Sequence, residues 1–159
     1  HMHFIDVIDP ATLGMFARLS VAMMCGLLLG AERAISGKSA GMRTYALVTI
    51  GASLFVIIAE LVVDRYAVGT FNPLTIMSGI ISGIGFMGAG VIIFRDSNVT
   101  GLTTASGLWV AAGIGVASGF GLYTLALVTT VLALFVFVIL YRVERRIKRL
   151  SAAKETTGE

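Results

Sequence analysis

The sequence predicts an all-α integral membrane protein, a bundle of about five transmembrane helices. Three observations carry that expectation. Charged residues make up only 13% of the chain and hydrophobic residues 57%, with a mean hydropathy of +0.93, whereas a soluble domain carries about a quarter charged residues. Apolar stretches of spanning length recur five times, each bounded by short polar connections; at about 1.5 Å per helical residue, roughly 20 residues cross a bilayer. The chain also holds 19 glycines, and helices that pack closely in lipid do so through small residues.

His1-Met2 reads as a cloning remnant, and residues 1–8 as an extracytoplasmic amino end. Asp6 and Asp9 stand where a cleavable signal peptide would carry its basic region. Asp9-Pro10 predicts the first helix start, an acidic N-cap followed by the residue that lacks an N–H. That span runs to about Ala31, with Arg18 near its outer end, where a long side chain can snorkel to the interface. The second covers about Arg43 to Val63, closed by Glu60 and Asp64-Arg65. Asn72-Pro73 opens the third, which ends near Phe94 before a polar turn, Arg95-Asp96-Ser97-Asn98. A short fourth span covers about Thr103 to Ser118, and Gly119 and Gly121 turn the chain into a fifth that ends near Tyr141. Residues 9–141 thus form the transmembrane domain, and 142–159 a basic tail that fades from helix into a polar, disordered end.

Charge selects the orientation. Arg18 and Arg65 alone fall on one side; the other ten of the 12 Lys and Arg fall on the side of the carboxyl end. The positive-inside rule puts the amino end outside and the tail in the cytoplasm of a bacterial inner membrane. The net charge of +3 therefore reflects topology, and no nucleic-acid partner is expected. A weaker pattern recurs at sixty positions: Gly30, Gly41, Thr44 and Ala52 are matched by Gly90, Gly101, Thr104 and Ala112. It suggests a parallel repeat of spans one and two in spans three and four, with the fifth helix extra.

Small residues mark expected packing surfaces: Gly26 and Gly30 in the first span, Gly83, Gly88 and Gly90 in the third, and Gly107 and Gly115 in the fourth, with Gly41 and Gly101 at the turns. The same surfaces could join two copies, so a homo-oligomer is expected, a dimer first.

Both inner turns would face the cytoplasm and form a charged mouth. Glu32, Arg33, Lys38, Arg43 and Thr44 come from the first turn; Asp96, Asn98, Thr103 and Thr104 come from the second. Three readings stay open here. Glu32 pairs with Arg33 or Arg43 and locks the turn; the cations and helix starts bind an anion; or Glu32 and Asp96 help hold Mg²⁺, although two acids among several cations suit that poorly. Cys25 is the one cysteine and His3 the one histidine outside His1. No catalytic motif, metal set or cofactor site is expected, and an enzyme is not.

Four ordered motifs resemble the MgtC/SapB family of bacterial inner-membrane proteins. They are Gly-x-x-x-Gly-x-Glu-Arg (Gly26 to Arg33), Gly-Lys-x-Ala-Gly-x-Arg-Thr (Gly37 to Thr44), Gly-Phe-Met-Gly-Ala-Gly-Val-Ile (Gly85 to Ile92) and Val-x-Gly-Leu-x-Thr-Ala-x-x-Leu-Trp (Val99 to Trp109). The resemblance covers about Leu13 to Leu140. It implies a role in adaptation to low magnesium and in virulence, through a non-enzymatic regulator acting on a membrane partner such as the F-type ATP synthase. The alternative is a transporter or channel for Mg²⁺ or another ion, gated at the cytoplasmic mouth; a third reading is a lipid-binding scaffold built on the tail. Of the mouth residues the resemblance singles out Glu32, Arg33, Lys38, Arg43, Thr44, Asn98 and Thr104, and it adds Gly41, Gly88, Gly90, Gly101 and Trp109. Long members add a cytoplasmic ACT-like domain, so this chain is expected to be the short form.

Overall fold

The computed structural model describes residues 10–66, 72–95 and 98–157. Five helices are long and apolar enough to cross a membrane, and they pack as a bundle. The cap expected at Asp9 and the acid at Asp96 lie outside the described residues.

Helix α1 (Pro10–Ile35) continues beyond the expected end at Ala31. Its charged last turn stays helical because Ser36 Oγ donates to Glu32 Oε1 at 2.7 Å, one turn away. Gly37, at φ +65°, then ends it: Gly37 N–H donates to Ala34 O and Lys38 N–H to Arg33 O, the two bonds of a Schellman motif. Helix α2 (Met42–Tyr66) returns antiparallel. The packing between them is glycine-dependent. A Cβ on Gly26 would lie 2.7 Å from Tyr45 O, and one on Gly30 would lie 2.8 Å from Met42 N.

Helix α3 (Pro73–Val91) begins as expected, with Asn72 Oδ1 accepting from Leu74 N–H at 3.0 Å and Pro73 in the first turn. Its end differs from expectation. In place of a plain polar turn, β1 (Ile93–Arg95) pairs antiparallel with β2 (Asn98–Thr100), Ile93 opposite Thr100 and Phe94 opposite Val99. Branched and aromatic residues in the two strands favour that pairing. Gly101, at φ +89°, joins β2 to α4 (Leu102–Gly119); a Cβ there would meet the Val91 carbonyl carbon at 2.9 Å, so neither the angle nor the space admits a side chain.

Helix α4 is the centre of the bundle. In its span 61% of residues are buried, against 11% in α3, and it touches α1, α2, α3 and α5. It advances alongside α2, Gly107 against Tyr45, Gly115 against Thr49 and Ala52, and Gly119 against Ser53 and Val56. Gly121, at φ +73°, ends it with a second Schellman pair, Gly121 N–H to Ser118 O and Leu122 N–H to Ala117 O. Helix α5 (Tyr123–Phe135) passes through one π-helical turn (Val136–Leu140) into α6 (Tyr141–Thr157), a continuous rod. The tail expected to lose its structure is thus helical through Thr157.

The sixty-residue pattern is only partly mirrored in contacts. Gly30 sits tight on Met42, yet Gly90, its match, has open space around it. Gly83 likewise meets no atom within 4 Å, so among the described residues the packing expected at these two positions does not occur. Gly41 and Gly88 make ordinary contacts, with the Cβ atoms of Ala34 and Ala105.

Candidate functional site

At the end of α1 the carboxylate of Glu32 accepts from Arg33 Nε, and its other oxygen accepts from Ser36. Adjacent helical residues point apart unless a third group draws them together. Here that group is Phe137, whose ring lies 3.7 Å beneath the Arg33 guanidinium. The π turn containing Phe137 carries its ring inward, and the same ring approaches Gly107. Arg33 is 2% exposed, a burial a guanidinium sustains only with a counter-charge and a polarisable face. Sequence reasoning pairs Glu32 with Arg33 or Arg43; the structure selects Arg33 and leaves Arg43 exposed.

A second ion pair closes the other end. Arg18 Nη1 binds Glu60 Oε2 and also donates to Gly119 O at 2.8 Å, tying α1 to α2 and α4. The expected lone snorkelling arginine is instead a three-helix clasp, about one-third exposed. Between the two ends runs a file of hydroxyls on one face of α2, Tyr45, Thr49 and Ser53, with Ser118 on α4 beyond them. All four are fully buried, and among the described residues Tyr45 Oη, Ser53 Oγ and Ser118 Oγ have no hydrogen-bond partner. Their four-residue spacing on α2 is visible in the sequence, yet sequence reasoning gave these hydroxyls no role. Phe137 has no such signal, because a π turn alters which residues share a face.

The mouth is not one site. Glu32, Arg33 and Ser36 group with the π turn that follows α5, while Lys38 Nζ lies 5.2 Å from the Tyr141 ring at the start of α6. Thr44 instead lines a groove facing α3, Thr104 is buried in the first turn of α4, and Asn98 and Thr103 are exposed. Trp109 is 54% exposed. As a magnesium ligand set these residues fit poorly: both Glu32 oxygens are engaged, and the described residues contain no group of three or more His, Cys, Asp or Glu.

The groove at Thr44 runs between α2 and α3. It encloses about 760 Å³ where α3 stands off α2, and Gly51, Gly79 and Gly83 line it without meeting any atom within 4 Å. Leu47, Phe55, Ile80 and Met87 supply its apolar walls.

Five apolar spanning helices, tied by the Arg18–Glu60 ion pair toward one end and by Arg33 stacked on Phe137 toward the other, define a polytopic integral membrane protein. Residues 19–146 match the MgtC family, and the chain belongs to it. It is 41% identical over 137 residues to protein MgtC of Salmonella typhimurium (strain LT2), covering 86% of this chain and 57% of that one. It is 38% identical over 130 residues to YhiD of Escherichia coli (strain K12), described as a candidate magnesium transporter, covering 79% and 60%. Protein MgtC of Brucella abortus (strain 2308) is 42% identical over 90 residues, 57% of this chain and 36% of that one. The chain thus spans about 60% of the length of the first curated relatives it matches. No solved structure matches it.

Proposed function

We propose that this chain is a non-enzymatic regulator that acts by binding another membrane protein, with the Glu32–Arg33 end and α6 on the cytoplasmic side. The observation that carries this reading is the groove between α2 and α3. Small residues on a lipid-facing surface let a second helix approach closely, and Gly51, Gly79 and Gly83 are unused for packing inside the bundle. The charge asymmetry supports the orientation. The family resemblance supports the F-type ATP synthase as the partner to test. A photo-cross-linking residue at Ile76 or Met87, facing the groove, should form an adduct with a membrane subunit of that complex. The same residue at Val131 or Leu132, on α5, should not. Equal adducts from both surfaces, or none from the groove, would sink the reading.

A second reading, ion transport, is favoured by the description of YhiD and by the buried hydroxyl file. Against it, a Cβ on Gly115 would lie 2.8 Å from Ala52 Cβ, and one on Gly119 2.7 Å from Val56 Cβ, so α2 and α4 leave no width between them for a hydrated divalent ion. Magnesium flux into proteoliposomes decides: flux abolished by Glu32→Ala in folded protein would establish transport, and none in either protein favours regulation.

A further inference from the structure

The other large cavity lies where α1 meets the rod formed by α5 and α6, a cleft of about 940 Å³. Its two halves differ in chemistry. Leu28, Leu134 and Val138, on membrane-spanning segments, line one half. Arg142, Arg145, Arg146 and Arg149 line the other, spaced by three, one and three residues so that all fall on one side of α6. Apolar and then cationic along one continuous rod is the order of an anionic phospholipid, acyl chain in the bilayer and phosphate at its surface.

We propose that this cleft binds one anionic phospholipid, its phosphate held by Arg142, Arg146 and Arg149 and its acyl chains laid against Leu28, Leu134 and Val138. Charge complementarity selects this occupant. Among the described residues none of these three arginines forms an ion pair with a carboxylate. The acid in the cleft, Glu32, does not compete, because Arg33 and Ser36 already occupy its two oxygens. Arg145 lies 5.7 Å from the Tyr141 ring and Lys38 Nζ 5.2 Å from it, which adds positive charge at the same level. Guanidinium groups bind phosphate oxygens through paired N–H donors, and basic pockets at helix ends on the cytoplasmic side recognise lipid headgroups. The site is separate from the α2–α3 groove, so its failure would leave the partner-binding reading intact.

The test uses the full chain in dodecylmaltoside, titrated with dioleoyl-phosphatidylglycerol or dioleoyl-phosphatidylcholine, bound lipid being counted by native mass spectrometry. One phosphatidylglycerol should bind in preference to phosphatidylcholine. The triple variant Arg142→Gln, Arg146→Gln, Arg149→Gln should weaken it about a hundredfold, roughly fivefold per arginine. Arg43→Gln, an exposed cation elsewhere, should change nothing. Val138→Trp fills the apolar half without altering charge and should also weaken the lipid. Equal binding of the two lipids, or retention by the triple variant, would overturn the proposal. Displacement by millimolar inorganic phosphate, with Val138→Trp silent, would assign the site to free phosphate and overturn it equally.

Discussion

Replacing Gly115 by alanine should loosen the joint between α2 and α4, the contact on which the bundle centre depends. The added Cβ would lie 2.8 Å from Ala52 Cβ, 3.0 Å from the Thr49 carbonyl carbon and closer still to its oxygen. Two of these are backbone atoms and the third is a methyl group fixed to backbone, so none can rotate aside. Restoring an ordinary separation of 3.4 Å requires the helices to part by at least about 0.6 Å. Because α4 also touches α1, α3 and α5, the shift propagates. Overpacking of this kind costs about 1–3 kcal/mol, offset by about 0.5–1 kcal/mol for removing glycine from a helix. Those two magnitudes leave a net loss centred near about 1 kcal/mol and no larger than about 2.5 kcal/mol. Gly113, two residues earlier, is the control: nothing lies within 4 Å of its Cβ position, and Gly113→Ala should stabilise by about 0.5–1 kcal/mol. Equilibrium unfolding in mixed micelles, followed by circular dichroism, measures both. The opposite signs are the content of the prediction. Gly115→Ala as stable as Gly113→Ala would refute the close approach of α2 and α4.

Glu32→Ala strands the buried guanidinium of Arg33 and should cost about 3 kcal/mol, whereas Glu32→Ala with Arg33→Met should recover much of that; unfolding of the single and double variants checks it. Arg18→Gln should cost about 1 kcal/mol or less, because its pair with Glu60 is about one-third exposed, and a loss above roughly 3 kcal/mol would contradict a partly solvated clasp. Cys25, 1% exposed in the core beside Leu29, should react with maleimide only at the rate of unfolding; rapid labelling of folded protein would show an open bundle.

The five spans are legible in the sequence because a bilayer imposes a length. Each helix must satisfy its own backbone and present about 20 apolar residues, and that requirement is written locally. The same holds for the Asn72-Pro73 start and for Gly37, Gly101 and Gly121, whose backbone angles only glycine accepts easily. The family is legible for a related reason: its motifs concentrate in these turns and close contacts. What the sequence could not determine is which polar groups meet. Arg18 and Glu60 are 42 residues apart, and Arg18 and the Gly119 carbonyl are 101 apart; no periodicity relates them. Whether a glycine is a contact or an open groove is equally hidden, since Gly115 and Gly83 read alike along their helices and differ only in what stands opposite. Burial of Arg33 depends on one π turn that delivers Phe137 to it. Local geometry and bilayer thickness are one-dimensional constraints, so the chain displays them in order; pairing across helices depends on their relative rotation, which only the packed bundle decides.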